Sequence, residues 1–227
     1  MTRHLAVEID KLKQKILKLS DMVADSVQMS VEALQKKDIK LAEQVIKGDI
    51  EIDHMEVDSE EECLKVLALH QPVAGDLRFI VAILKINSDL ERIGDFAVHI
   101  AEKAKSLSKQ DLVKVPEEFF EMARKSQVML KKSMEALFNL DSDLARSISM
   151  SDDEIDELNR KISDQAKAQI RLDPANLDPL SNLLSVSRSI ERIADHVTNI
   201  TEDVIYMVEG EIVRHKARDG QPPAEQG

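Results

Sequence analysis

The sequence predicts an all-α protein built from two tandem, repeated three-helix bundles of long helices. Six glycines and six prolines in 227 residues leave few points at which a helix would have to end. Aromatic residues make up only 3% of the chain, which disfavours a protein rich in β-strands. The third observation is an internal repeat, since the same motifs occur twice in the same order.

Apolar residues recur at steps of three and four along most of the chain, which is the period of a helix buried on one side. Asp38 and Asp141 stand where they would cap the second and fifth helices. Helices of about 30 residues would be about 45 Å long and need lateral packing to be stable. The pattern predicts helices at about 4–37, 39–70, 76–107, 116–140, 142–172 and 180–208.

The repeat can be followed residue by residue. Glu32-Ala33-Leu34 matches Glu135-Ala136-Leu137 at an offset of 103, and Glu91–Asp95 matches Glu191–Asp195 at an offset of 100. The three missing residues fall in a predicted turn, where a deletion between helices is tolerated. We therefore predict a first bundle at residues 1–109, a second at 110–212 and a flexible polar tail at 213–227.

Charge and cysteine content exclude several classes of function. A net charge of −12 disfavours binding to nucleic-acid phosphates. The single cysteine, Cys63, excludes an intrachain disulfide and a thiolate zinc cluster. No apolar run reaches 18 residues, so no membrane span is predicted, and the N-terminus lacks the apolar core of a signal peptide. A cytoplasmic protein is the simplest expectation.

Carboxylates spaced four residues apart are the chief candidates for chemistry, because residues at this spacing share one helix face. Helix phase places Glu91 and Asp95 of the third predicted helix on an outer face, opposite the apolar core stripe. The pairs are Asp49 with Asp53 and Glu91 with Asp95 in the first repeat, and Asp152 with Asp156 and Glu191 with Asp195 in the second.

Turn arithmetic joins the pairs into two sites of four acids. Asp53 and Glu91 each lie 19 residues from Pro72, so antiparallel helices would bring the two pairs to one height. Oxygen-only ligands suit Mg²⁺, Mn²⁺ or iron, and these eight acids are the predicted metal ligands. The alternative is a solvated acidic face paired with Arg92 and Arg192. His99, one turn after Asp95, is left open as a further ligand.

Several motifs resemble the PhoU family of phosphate-specific transport system accessory proteins, over residues 21–210. They are Leu41-Ala42 with Leu144-Ala145, the stretch from Gln71 to Arg78, Leu90–Asp95, and Arg188–Asp195. The resemblance implies two three-helix bundles with multinuclear metal clusters, iron or zinc among them, on the eight acids named above. It also implies a negative regulator of phosphate uptake and of the phosphate-starvation response, not an enzyme.

The same resemblance implies partners. They are the ATPase subunit of a phosphate ABC transporter and a sensor histidine kinase, with the protein held at the inner membrane face through these contacts. A homodimer is left open, because residues 77–84 are apolar on two sides of the predicted third helix.

Two alternatives remain at this point. A carboxylate-bridged metal enzyme or metal-storage bundle would place Glu-x-x-His on two helices facing the core. Glu51 and His54 have that spacing, but Glu154 and Glu157 stand at the equivalent positions, with no histidine. The other alternative is a metal-free helical scaffold.

Overall fold

A computed structural model describes residues 3–108 and 115–213, which are helical throughout apart from short turns. No β-strand occurs in these ranges, and the predicted all-α class is confirmed. The predicted tail lies, except for Val213, outside the described residues, as do residues 109–114. The elements are α1 (Arg3–Lys36), α2 (Ile39–His70), α3 (Ala74–Leu107), α4 (Glu117–Asn139), α5 (Ser142–Ser149), α6 (Asp152–Leu172), a 3-10 turn (Pro174–Asn176) and α7 (Leu177–Glu209).

Each repeat forms one bundle around its apolar stripe. Helices α1, α2 and α3 pack on one another, and α4, α5, α6 and α7 form the second bundle. Leu12 and Ile16 of α1 and Ile83 and Leu90 of α3 are wholly buried, as the period of three and four requires. The tandem bundles agree with the prediction, while the boundaries after residues 109 and 212 stay predictions.

Two aspartates start the second helix of each bundle. The Asp38 carboxylate accepts hydrogen bonds from the backbone N–H groups of Lys40 and Leu41, at 2.9 and 3.1 Å. The Asp141 carboxylate accepts one from Leu144 at 2.9 Å. These bonds satisfy N–H groups that the first helical turn leaves without an acceptor, and the predicted caps are confirmed.

The predicted fifth helix, 142–172, is wrong as a single element. It is divided into α5, which ends at Ser149, and α6, which begins at Asp152, whereas α2 in the first repeat is continuous. The backbone N–H of Ser151 bonds to Ile148 at 2.9 Å and tightens the chain at the break. Serine favours helix ends over helix interiors, and the acids that open α6 complement the positive end of its dipole.

Helices α3 and α7 lie antiparallel and join the two bundles. His99 Nδ1 lies 2.7 Å from Ser189 Oγ, and Asn199 Nδ2 donates to Asp89 Oδ1 at 3.2 Å. Exchanging the repeats, at the offset of 100, converts the first pair of positions into the second. The bundles are therefore related by a pseudo-two-fold axis, as in an isologous dimer interface.

The carboxylate of Asp89 should contribute measurably to this interface. It accepts bonds from Asn199 and from His196 Nδ1, the latter at 2.7 Å, and its side chain is only 13% exposed. We expect Asp89→Ala to lower the free energy of unfolding by about 1 to 3 kcal/mol, since two donors lose their acceptor. Urea denaturation would measure this against Asp25→Ala, an exposed position on α1. An equal loss in the two variants would contradict the assignment.

The apolar stretch in the first half of α3 is flanked by the chain's own second repeat. Lys85 donates to Asp203 Oδ1 at 3.1 Å, and its ammonium group lies 5.2 Å from the centre of the Tyr206 ring. Leu84 packs against the core, whereas Leu77 is still 40% exposed. In the described ranges, every helix falls short of the apolar length that a membrane crossing requires.

Candidate metal centre

The first four-acid site lies between α2 and α3. Partial burial, followed by the charges of Asp53 and Asp95, raises the pKa of Asp49 from 3.8 to about 6. Burial also raises the pKa of Glu91, with Asp95 as the largest charge effect and a smaller one from Asp53. The carboxylates of α2 therefore act on those of α3. The two pairs lie close together, as the residue count on each side of Pro72 predicted.

The second site repeats the arrangement between α6 and α7. Burial raises the pKa of Asp152 to about 6, and the next largest causes are the charges of Asp195 and Asp156. The same two charges, after burial, raise the pKa of Glu191. All eight predicted site residues thus fall into two groups of four, on the partly exposed outer face of each bundle.

A small residue lets the helices approach closely at the first site. A Cβ atom added at Gly94 would lie 3.3 Å from Ile52 Cγ2 and 3.5 Å from Asp49 Oδ1. The second repeat has Ala194 at the equivalent position, fully buried. The Gly and Ala of the two Glu-Arg-Ile-Gly/Ala-Asp motifs therefore serve packing, since they set the distance between the carboxylate-bearing helices.

Enlarging Gly94 should separate these helices. Gly94→Leu is expected to lower the free energy of unfolding by about 1 to 3 kcal/mol, because the added atoms would overlap Ile52. Gly94→Ala should change it by less than about 1 kcal/mol, since helix propensity favours alanine and only Ile52 must move. Chemical denaturation would measure both. Equal stabilities for the alanine and leucine variants would contradict the close approach.

The two sites differ in their surroundings. Asn87 Nδ2 donates to the Glu56 carboxylate at 3.0 Å and to its backbone carbonyl at 2.9 Å, and Glu56 acts electrostatically on Glu91. In the second repeat this cross-helix bond joins Ser187 Oγ to Asn159 Oδ1, at 2.6 Å. The first site therefore has a fifth carboxylate nearby, where the second has a neutral amide.

His99 belongs to the interface between the bundles. Its Nδ1 contacts Ser189 and its Nε2 lies 3.4 Å from Ser185 Oγ. Burial and then the charge of Lys103 lower the pKa of His99, and no acid of the four-acid site contributes. The sequence placed it correctly one turn after Asp95, but it did not show that α7 would take up both ring nitrogens.

Some features of the alternative interpretations are also present. Arg92 Nη1 lies 3.1 Å from Asp95 Oδ2, and Arg92 Nε lies 3.6 Å from Glu91 Oε2. The first site thus has an internal counterion. Glu51 and His54 are both exposed, so this Glu-x-x-His spacing does not point into the core as a bundle di-metal site would require.

The donor set fits a bound cation in its chemistry. It consists of carboxylate oxygens. Burial first, and then the charges of neighbouring acids, raise the pKa of Asp49 and Asp152, and a divalent ion would relieve the repulsion. Within residues 3–108 and 115–213, no three His, Cys, Asp or Glu side chains already converge closely enough to hold a metal ion. Binding would therefore require these partly exposed side chains to turn towards one another.

The fold and the site define a duplicated three-helix-bundle protein with a carboxylate group on the outer face of each bundle. The family model for the PhoU domain matches the chain twice, at residues 16–104 and 119–204. A phosphate-specific transport system accessory protein PhoU homolog from Aquifex aeolicus is 40% identical over 209 residues, which cover 92% of this chain and 95% of that protein. The chain belongs to the PhoU family.

Solved structures agree with this assignment. The crystal structure of PhoU from Pseudomonas aeruginosa has a TM-score of 0.86 at 34% identity, covering 91% of this chain and 99% of that one. The crystal structure of the phosphate transport system regulatory protein PhoU from Streptococcus pneumoniae has a TM-score of 0.84 at 30% identity, covering 92% and 99%. Both the predicted family and the predicted fold class are confirmed.

Proposed function

We propose that this protein is an accessory protein of a phosphate-specific transport system, which limits phosphate uptake and represses the phosphate-starvation response when phosphate is plentiful. The observation that carries the proposal is the match along nearly the whole chain to relatives with that name, including one from Aquifex aeolicus over 92% of the chain. The Pseudomonas aeruginosa relative has the same name and matches 95% of the chain at 34% identity.

The proposal includes metal ions at the two carboxylate sites. Asp49, Asp53, Glu91 and Asp95 would hold the first ions. Asp152, Asp156, Glu191 and Asp195 would hold the second. Iron or zinc is proposed first and Mg²⁺ or Mn²⁺ second, with more than one ion at each site. A bound ion would neutralise the repelling carboxylates and join the two helices that carry them.

The mode of action in this proposal is protein contact and not catalysis. The proposed partners are the ATPase subunit of the phosphate ABC transporter and a sensor histidine kinase. These contacts would hold a cytoplasmic protein at the inner face of the membrane. A second copy of the chain is a further proposed contact, through the exposed side of Leu77.

Deleting the gene tests the regulatory role. We expect a reporter for phosphate-starvation genes to be active in phosphate-rich medium in the deletion strain, and silent again when the full chain is restored. Normal repression in the deletion strain would contradict the proposal.

Crosslinking of the tagged chain in membranes at high phosphate tests the proposed partners. Recovery of neither the ATPase subunit nor the kinase would contradict the proposal that the protein contacts them.

A further inference from the structure

A cavity of about 260 Å³ lies beside the break between α5 and α6, on the side that faces α4. Its floor is apolar and includes Met129 and Ile148, which are 4% and 2% exposed. The hydroxyl-bearing residues Ser147 and Ser151 line the α5–α6 side. The cavity therefore lies at the helix break that distinguishes the second repeat from the first.

The α4 side of the cavity is basic. Arg124, Lys125 and Lys132 line it, and Glu154 is the one acid among the lining residues. Lys125 is paired with Glu154 at 2.5 Å. Among the described residues, no ion pair or hydrogen bond engages the side chains of Arg124 and Lys132. Two cations in one cavity without counterions favour the binding of an anion.

The first repeat does not have these positive charges at the equivalent positions. At the offset of 103, Arg124 corresponds to Asp21, Val128 to Asp25 and Lys132 to Met29. The first repeat is thus acidic along the same helix face and has a continuous α2 opposite. In a chain of net charge −12, this positive rim is a property of the second repeat.

We propose that this cavity binds a small anion that carries a chain of two or more phosphoryl groups. Arg124, Val128 and Lys132 follow one another at steps of four on one face of α4, so the two unpaired cations start about 12 Å apart along the helix. A phosphate chain can contact both charged groups where they stand, whereas a single phosphate ion contacts both only if the two long side chains converge on it. The guanidinium of Arg124 suits bidentate contact with one end and the Lys132 ammonium suits the other.

Two sources share this chemistry, namely an inorganic oligophosphate and a nucleoside triphosphate. Titration calorimetry of the chelator-treated full chain with tripolyphosphate, ATP, orthophosphate and sulfate tests the proposal. Both triphosphate probes should bind at least tenfold more tightly than orthophosphate or sulfate. Tighter binding of ATP than of tripolyphosphate would assign the apolar floor to the nucleoside, and equal binding would assign the site to the phosphate chain alone. Triphosphates that bind no more tightly than sulfate would overturn the proposal.

Charge-matched variants locate the binding. Arg124→Gln and Lys132→Gln should each weaken tripolyphosphate binding about tenfold, as the loss of one charge-assisted contact predicts. Lys131→Gln removes the same charge from the neighbouring exposed position and should leave affinity nearly unchanged. Glu154→Gln should strengthen binding, because it removes the acid that occupies Lys125. Equal losses in the Lys131 and Lys132 variants would overturn the site.

The inference is independent of the proposed regulatory role and of the metal sites. Asp95→Asn/Asp195→Asn protein should bind tripolyphosphate as the native chain does, because neither residue lines the cavity. Loss of tripolyphosphate binding in that variant would overturn the cavity as the site and assign the anion to the carboxylate clusters. Circular dichroism of each variant confirms that the helices are intact.

Discussion

Purified protein carrying Asp95→Asn and Asp195→Asn is expected to lose most of its tightly bound metal. Asparagine keeps the size of aspartate but removes the anionic oxygen that a divalent ion requires. Each site loses one of four carboxylates. At each site the charge of the replaced aspartate acts on the neighbouring Asp49 or Asp152. Elemental analysis after dialysis, expressed as metal per chain, measures the loss.

The single variants should separate the two sites. Asp95→Asn should remove only the metal held between α2 and α3, and Asp195→Asn only that held between α6 and α7. Asp25→Asn, at an exposed position on α1, is the control for general loss of negative charge. Metal content that is unchanged in the double variant, or reduced equally by Asp25→Asn, would refute the assignment of ligands.

The metal-free protein is expected to lose stability as the pH rises from about 4 to about 6, because of Asp49 and Asp152. In the folded chain the pKa of each is raised from 3.8 to about 6, mainly by burial. Between these pH values the folded state binds more protons than the unfolded state, so the free energy of unfolding falls with increasing pH. The destabilisation is absent below the unfolded pKa and complete above the folded one.

The size of this effect follows from the two shifts. Raising the pKa of one group from 3.8 to about 6 corresponds to about 3 kcal/mol, and solvent screening of these partly exposed carboxyls reduces it to about 1 to 2 kcal/mol each. The measurement is urea denaturation of chelator-treated protein at several pH values, compared with Asp49→Asn/Asp152→Asn protein. The difference between native and variant proteins is the informative quantity, since it cancels the titration of all other acids.

Two outcomes would count against this account. The variant should be more stable than the native chain at pH 7 and about as stable at pH 4, so parallel pH profiles would contradict it. Added divalent metal should abolish the native protein's disadvantage at pH 7, because a bound cation stabilises the charged form of both carboxyl groups. If none of the metals tested restores stability at pH 7, Asp49 and Asp152 are not metal ligands.

Much of the fold follows from local sequence. The apolar period of three and four sets the buried face of each long helix, and Asp38 and Asp141 mark two helix starts through short-range hydrogen bonds. Asp53 and Glu91 each lie 19 residues from Pro72, and this equal spacing predicted that they would lie side by side on antiparallel helices. These features depend on contacts within one helix or across one turn, which is why the sequence alone predicts them.

The sequence alone therefore determined two bundles of long helices with a set of carboxylates on each. The tertiary structure alone decided the role of His99, because its partner Ser189 lies 90 residues away on α7. It also decided the break at residues 150 and 151, where the fold allows serines and a run of acids to end one helix and begin another. Both features depend on which side chains are brought together by segments that are distant in sequence. The apolar period of a single helix does not contain that information.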